Sequence, residues 1–135
     1  MVVYSIENNL GVEEFKDVLI RSSLGERRPI NDPSKLSKML EMANLIVTAR
    51  QKGTVIGVAR SLSDFAFCTY LSDLAVDSAY QKKGIGRELI RRTKMESPDA
   101  KLILLAAPKA IPYYPKIGMT QYEYCYYLDQ IEQLT

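Results

Sequence analysis

The most informative stretch of this chain is LAVDSAYQKKGIGRELI at residues 74–90. Its first apolar residues are typical of a strand that ends at Val76, and the apolar spacing after Gly84 predicts an amphipathic helix. A turn with two lysines, followed by two glycines, lies between them. The first N–H groups of a helix lack intrahelical partners and the helix dipole is positive there, so this turn is a candidate anion site.

Two familiar phosphate-binding motifs do not match this turn. A dinucleotide fingerprint needs a third glycine three residues after the second, where this chain has Leu89. A Walker-type loop ends in Gly-Lys-Ser/Thr, whereas Gly86 is followed by Arg87 and Glu88. The remaining pattern is Gln-x-x-Gly-x-Gly after an apolar strand. By itself, this pattern is also compatible with an ordinary helix start.

Apolar periodicity along the rest of the chain predicts one domain, residues 1–135, with the order β-α-α-β-β-β-α-β-α-β. The fold class is α/β, with a mixed (α+β) sheet that has helices on both faces. The glycine-turn helix connects two parallel neighbouring strands. We expect strands at residues 2–6, 45–50, 54–62, 67–76, 101–107 and 121–128, and helices at residues 12–23, 33–43, 84–96 and 110–117.

Two local signals add detail to this plan. Asp32 followed by Pro33 predicts an N-cap and a proline in the first helical turn. Residues 101–107 are apolar after the first lysine, so we expect a strand that is covered on both faces.

Composition limits the partners of the protein. A net charge of +2 and a pI of about 8.5 favour a small anionic ligand over an extended nucleic acid. No signal peptide is visible and no apolar run is long enough to span a bilayer, so we expect a cytoplasmic protein without a membrane partner. Cys68 and Cys125 lie in strand-like runs and fit no metal pattern; we expect reduced core thiols and no metal.

The chain contains no histidine. Nucleophiles activated by histidine, histidine–metal sites and histidine acid–base chemistry are therefore all excluded. Any catalysis must use carboxylates, tyrosine, lysine, backbone dipoles or a bound cofactor.

A second motif, AIPYYPKIGM, occupies residues 110–119. Together with the glycine turn it resembles the GNAT superfamily of N-acetyltransferases. Members of that superfamily carry a Leu-x-Val strand end, then Arg/Gln-x-x-Gly-x-Gly/Ala, and later an aromatic-Tyr-x-x-x-Gly-aromatic segment. The first signature is matched by Gln81, Gly84 and Gly86, and the second by Tyr113, Tyr114 and Gly118. Met119 departs from the pattern, because an aromatic residue is common there.

The resemblance implies a GNAT-like acyl-CoA N-acyltransferase fold and an enzyme that moves an acetyl group from acetyl-CoA to a primary amine of a small molecule or protein. It implies that the pyrophosphate binds at the glycine turn and that the pantetheine arm lies along a bulged fourth strand. Lys82, Lys83 and Arg87 are equally compatible with solvated surface residues. The implied cofactor-binding residues are Leu74, Ala75, Val76, Gln81, Lys82, Lys83, Gly84, Ile85, Gly86 and Arg87.

The resemblance also assigns chemical roles. The N–H of Val76 would polarise the thioester carbonyl, and Tyr114 would donate a proton to the leaving sulfur. Tyr114 is alternatively a packed side chain. Asp73 is the only carboxylate beside the expected bulge and is the candidate base, with substrate charge recognition or strand-end solvation as alternatives.

Other functions stay open from the sequence. The lack of a convincing base is compatible with a non-catalytic acyl-CoA-binding regulatory module. A nucleic-acid-binding module is less favoured, because the basic residues around the helix include Glu88 and no interleaved aromatic residues. Arg27 and Arg28 suit either attraction of an acidic group or ordinary solvation. The short segment after Gly118 leaves an incomplete sheet edge, which makes a homodimer plausible.

Overall fold

A five-stranded sheet forms the centre of the first of two units, Met1–Leu105 and Ala106–Thr135, in the computed structural model, which describes all 135 residues. The first four strands pair antiparallel in sequence order, and the fifth lies parallel to the fourth, so the predicted mixed sheet is confirmed. The strands are β1 (Val2–Ile6), β2 (Leu45–Gln51), β3 (Thr54–Ser63), β4 (Cys68–Val76) and β5 (Lys101–Ile103).

Helices cover both faces of this sheet. On one face, α1 (Val12–Ser22) and α2 (Pro33–Met42) pack around Ile46 of β2, whereas α3 (Ile85–Met95) packs on the opposite face against the neighbours of that residue in β2. This division follows from the alternation of side chains along a strand. The predicted N-cap of α2 is confirmed, because the Asp32 carboxylate accepts the Lys35 N–H at 3.1 Å.

The N-terminal end of α3 lies close against β3. A Cβ atom added to Gly57 would lie 3.1 Å from Leu89 Cδ1 and 3.2 Å from Ile85 Cγ2. The absence of a side chain at this position lets α3 pack directly on the sheet. This packing sets where the helix begins relative to the end of β4.

The fifth strand is shorter and more exposed than predicted. Only Lys101–Ile103 pairs with β4, and the side chains of Ile103 and Leu105 are 49% and 55% exposed. The prediction of a strand over residues 101–107 covered on both faces is therefore wrong. β5 is the edge strand of its sheet, where a long apolar run does not require two covering layers.

The second unit contains little regular structure. The helix expected over residues 110–117 is the shorter α4 (Tyr113–Lys116), preceded by the 3-10 turn Pro108–Ala110. The predicted strand at residues 121–128 is wrong, since no strand forms there. This unit has no other strand to pair with, and an unpaired strand is not stable. That residues 1–135 form one domain stays a prediction.

Two smaller expectations concern the thiols and the membrane. Cys68 and Cys125 are free but exposed, so their predicted place in the core is wrong. Cys68 is the first residue of β4, and Cys125 lies in the segment that forms no strand. None of the helices has the length and apolar character needed to cross a bilayer.

Candidate functional site

The connection from β4 to α3 is an irregular turn that leaves its backbone open. After the 3-10 turn Ser78–Tyr80, Lys82 and Gly84 both adopt left-handed backbone angles, with φ of 64° and 81°. Gly84 is the N-cap residue of α3, and no side chain caps the first N–H groups of this helix. A Cβ atom at this glycine would meet nothing within 4 Å, so the space in front of it is open.

The backbone N–H groups of residues 81–87 have no protein acceptor. The first bond of α3 runs from the Glu88 N–H to the Gly84 carbonyl at 3.0 Å. A run of unpaired donors at the positive end of a helix dipole favours an anion. The unpaired amides that the sequence predicts are therefore present, and their use by a ligand stays a prediction.

Positive side chains around this turn are not neutralised by carboxylates. Lys82, Lys83 and Arg87 are exposed and form no ion pair. The ammonium group of Lys83 lies 5.4 Å from the ring centroid of Tyr80, which is within cation–π range. The Gln81 side chain points back to the strand, because its Nε2 donates to the Val76 carbonyl at 3.1 Å.

The basic residues further along α3 differ from those of the turn. Glu88 bonds to Arg91 at 2.9 Å and to Arg92 at 2.7 Å. The hydrogen bonds from these guanidinium groups lower the pKa of the Glu88 carboxyl to about 2. The two arginines are therefore partly neutralised within the helix, in contrast to Lys82, Lys83 and Arg87.

One edge of β4 opens beyond Tyr70. β5 pairs with β4 only at Cys68–Tyr70, so the remainder of β4 has no strand on that side. The Asp77 N–H donates to the Ile56 carbonyl at 2.8 Å, which fixes the alternation of the β3–β4 ladder. By that alternation the N–H groups of Leu74 and Val76 point away from β3, towards the open edge.

Ala75 behaves differently from its two neighbours. It lies opposite Val58 in the register, at a position where an antiparallel ladder bonds both residues. Its backbone is therefore used within the sheet, and its side chain is buried. Of the three strand residues predicted to bind the cofactor through their backbone, Ala75 is in the wrong orientation to do so.

A β-bulge in β4 lies at the start of this open edge. Arg60 lies opposite Asp73, whereas Ser61 lies opposite Leu71, so Ser72 is the extra residue. The Asp73 carboxylate is fully buried; one oxygen accepts from Arg28 Nε at 2.5 Å and the other accepts from Arg60 Nε. The same arginines bind Ser72, Arg28 at the carbonyl and Arg60 at the hydroxyl, each at 2.9 Å.

This pairing does not suit the general base predicted at Asp73. Both carboxylate oxygens are occupied by guanidinium donors, and none of the side chain is exposed. Neither an amine nor a water can reach the carboxylate without breaking an ion pair. Asp73 is therefore a buried structural anion, which corrects its assignment as a base and as a solvated strand end.

The role of Arg28 and Arg60 was not predicted. Arg28 was expected to attract an acidic ligand or to be solvated, yet its partner is a carboxylate of the same chain. Arg60 carries a signal that could have been used, because it directly follows the apolar run VIGVA within β3. A charge in a buried strand needs a buried partner.

Tyr114 lies in α4, within the second unit. Its ring meets that of Tyr113 edge to face, with centroids 5.2 Å apart. Burial first, and the neighbouring Tyr113 second, raise the pKa of the Tyr114 phenol above 10.0. The phenol is therefore protonated at neutral pH, as a proton donor must be.

The structure brings together no group of three or more His, Cys, Asp or Glu side chains that could hold a metal ion. The turn between β4 and α3 presents backbone N–H groups together with lysine and arginine side chains.

Known proteins resemble the chain in both sequence and fold. The family model described as Acetyltransferase (GNAT) domain matches residues 10–132. Histone acetyltransferase TAP1 of Glycine max is 28% identical over 106 residues, which cover 68% of this chain and 45% of that protein. The chloroplastic GCN5-related N-acetyltransferase 2 of Arabidopsis thaliana is 31% identical over 72 residues, 51% of this chain and 28% of its own length. The chain thus matches less than half the length of these curated relatives.

Solved structures share the architecture at lower identity. A GNAT-family acetyltransferase of Streptococcus pneumoniae superposes with a TM-score of 0.80 at 20% identity, covering 98% of this chain and 99% of its own. The aminoglycoside N-acetyltransferase AAC(6′)-Iy in complex with CoA gives a TM-score of 0.73 at 13% identity, covering 97% and 95%. At such identities the likeness shows the fold.

Proposed function

Because the chain belongs to the GNAT acetyltransferase family, we propose that it transfers an acetyl group from acetyl-CoA to a primary amine. The unpaired amides from Gln81 to Arg87, next to the open edge of β4, carry this proposal. Acetyl-CoA presents a pyrophosphate, then an arm with two amide groups, then a thioester. The turn offers donors to the pyrophosphate, and the adjoining edge of β4 offers donors to the arm and the thioester.

The turn is suited to the pyrophosphate. Backbone N–H groups that are already unpaired bind a diphosphate without first breaking a protein hydrogen bond. The open space in front of Gly84 lets a phosphate approach the backbone. Lys82, Lys83 and Arg87 add positive charge around the same turn.

The open edge of β4 is suited to the pantetheine arm. An extended chain with amide groups pairs with a free strand edge as an added strand does. Leu74 and Val76 direct their N–H groups to this edge. We assign the Val76 N–H to the thioester carbonyl oxygen, where negative charge develops as the amine attacks.

The reaction then needs two proton movements. An alkyl amine has a pKa near 10.4 and must lose a proton before its nitrogen bonds to the thioester carbon. The carbon–sulfur bond breaks and the leaving thiolate takes a proton, for which we propose the Tyr114 phenol on the basis of its motif and its raised pKa. With Asp73 sequestered, we expect the amine to lose its proton to solvent.

Turnover of acetyl-CoA with a panel of amines tests the proposal. Product is best followed by mass spectrometry, because the exposed Cys68 and Cys125 would react with thiol reagents. We expect acetylated product with at least one acceptor and calorimetric binding of CoA. Neither binding nor product with any acceptor would reject the function.

A second candidate is a regulatory module that binds acyl-CoA without catalysis. The pairing of Asp73 with two arginines favours it, since the predicted base is not available. Tight CoA binding together with no product across the amine panel would support this alternative over the enzyme.

The acceptor, the assembly and the location extend the proposal. Small amines and protein amino groups are both candidate acceptors, and the relative named a histone acetyltransferase makes lysine-rich peptides a useful part of the panel. We further propose a cytoplasmic protein that acts without nucleic acid, membrane or metal, and a homodimer. Light scattering at several concentrations tests the dimer, and a single monomer mass throughout would exclude it.

A further inference from the structure

The bulge of β4 is held by side chains from two other parts of the fold. Arg28 follows the 3-10 turn Leu24–Arg27 between α1 and α2, and lies 45 positions from Asp73 in sequence. Arg60 lies on β3 and also donates to the carbonyl of Met39 in α2 at 3.0 Å. The bulge is thus tied to the connection between the first two helices and to the second helix itself.

We propose that Arg28, Asp73 and Arg60 are positioning residues that hold this bulge, so that the Leu74 and Val76 amides face the acyl arm of acetyl-CoA. This inference rests on the proposed function. The three side chains act through the backbone of β4: Arg28 and Arg60 both bind Asp73, and each also binds Ser72, the extra residue.

The extra residue decides which amides face the open edge. Side chains and N–H groups alternate along a strand with a period of two. If Ser72 joined the ladder, the strand beyond it would slip by one position against β3. The N–H groups of Leu74 and Val76 would then turn towards β3, and that of Ala75 would turn to the edge.

The energetics favour a network that keeps the bulge in place. Breaking a buried ion pair by removing one partner leaves an uncompensated charge and an unsatisfied carbonyl. Arg28 is the member that can be changed with least risk to folding, because 22% of its side chain is exposed, compared with 7% for Arg60 and none for Asp73.

The experiment compares two ligands that differ only by the pantetheine arm. CoA and 3′-phospho-ADP are titrated by calorimetry into the wild type and into Arg28→Gln. We expect the affinity for CoA to fall about tenfold, the equivalent of one or two lost hydrogen bonds. The affinity for 3′-phospho-ADP should change by less than about twofold, since its phosphates contact only the turn.

Two further variants separate positioning from stability. Arg50→Gln is the matched control: Arg50 is 23% exposed, lies on β2, which does not pair with β4, and pairs with Glu7 and Glu14. It should leave the affinities for both ligands unchanged. Arg28→Lys keeps the charge without the planar fork of donors, so its CoA affinity should be intermediate.

The turnover rate provides a second measurement, because a general loss of stability would not lower kcat of the folded enzyme. In Arg28→Gln we expect kcat to fall by roughly a hundredfold, because a small displacement of an oxyanion donor has effects of this order. If Asp73→Asn folds, it should show the same losses of CoA affinity and of kcat. If it does not fold, the Arg28 variants alone test the positioning role.

The outcomes distinguish this inference from the function on which it rests. Failure of the wild type to bind CoA overturns both. A wild type that binds CoA, with Arg28→Gln binding it equally well, overturns the positioning role alone. Equal losses for CoA and 3′-phospho-ADP, or a selective loss of CoA in Arg50→Gln, would likewise overturn it.

Discussion

Arg21 Nη1 donates to Asp77 Oδ2 over 2.5 Å, and so connects the last turn of α1 to the residue that begins the β4–α3 connection. Arg21 also donates to the Val55 carbonyl at 2.8 Å. The second oxygen of Asp77 accepts the Ala79 N–H at 2.9 Å and so caps the 3-10 turn that follows. One carboxylate therefore sets both the end of β4 and the start of the turn.

We predict that Asp77→Ala lowers the free energy of unfolding by about 2 kcal/mol, through the loss of a cap and of a hydrogen-bonded ion pair. Urea denaturation measures the change. Asp32→Ala is the control, because Asp32 also caps a helix but is exposed and forms no ion pair. Its loss should be smaller, and equal losses would contradict the special role of Asp77.

Gly84→Ala should separate backbone strain from ligand binding. Gly84 and Gly53 have the same φ of 81°, and a Cβ atom at either would meet nothing within 4 Å. Both alanine variants should therefore lose about 1–2 kcal/mol of stability, the strain of a left-handed backbone with a side chain. Only Gly84→Ala should also weaken CoA binding, measured by calorimetry, because its methyl group occupies the space in front of the turn.

Equal CoA affinity in the two glycine variants would remove Gly84 from the binding site. Loss of affinity in Gly53→Ala would show that strain alone accounts for the effect. Either result would contradict a specific role of the open space in front of Gly84.

We predict that Tyr114→Phe lowers kcat by about a hundredfold, the lower range for a lost general acid, and leaves the affinity for CoA nearly unchanged. Single-turnover kinetics isolate the chemical step. Tyr113→Phe is the matched control, since it removes the neighbouring hydroxyl of the edge-to-face pair. A rate in Tyr114→Phe equal to that of the wild type would remove this tyrosine from the mechanism.

The pH dependence follows from the same tyrosine. Burial raises the pKa of the Tyr114 phenol above 10.0, so the proposed proton donor keeps its proton throughout the neutral and mildly alkaline range. The transfer rate should therefore rise with pH as the amine loses its proton and show no alkaline decline before about pH 10. A decline centred near pH 8 would contradict this assignment.

The raised pKa of the Tyr114 phenol also affects how the free energy of unfolding depends on pH. A pKa that is higher in the folded than in the unfolded chain means that the folded state binds the proton more tightly. The contribution is complete below pH 10.0 and is lost as pH rises through the folded pKa. The unfolding free energy should therefore fall less steeply above that pH in Tyr114→Phe than in the wild type.

Glu88 makes a contribution to stability that is lost at acidic pH. Its pKa is lowered from 4.5 to about 2 by Arg91 and Arg92, so its contribution is present above pH 4.5 and is lost as pH falls through the folded value. Because these arginines are 51% and 42% exposed, Glu88→Gln should lose less than about 1 kcal/mol at pH 7. The difference from the wild type should vanish near pH 2 in urea denaturation.

Glu41→Gln is the control for the removal of one carboxylate charge. Glu41 is exposed and forms no ion pair, so Glu41→Gln should leave the free energy of unfolding at pH 7 unchanged. A constant difference between Glu88→Gln and the wild type down to pH 2 would contradict the role of the ion pairs.

Features that depend on neighbours in the chain were predictable from the sequence. Asp32 caps α2 through a bond only three residues away, and the glycine turn leaves its amides unpaired because the helix begins there. The apolar periodicities likewise located the first four strands and α1 to α3 within one or two residues. Local hydrogen bonds and side-chain spacing depend only on residues that are close in sequence, so they can be predicted without the tertiary fold.

Features that depend on distant neighbours were decided by the tertiary structure alone. The sequence alone suggests that Asp73 is an accessible acid. In the folded chain Arg28 and Arg60, which are 45 and 13 positions away, bind both of its carboxylate oxygens. The segment at residues 121–128 has the alternation of a strand but no partner within its unit. Charge pairs and strand pairs each require a second group whose arrival depends on the folded backbone. The sequence therefore determined where the candidate phosphate-binding turn lies, and the fold determined which side chains surround it.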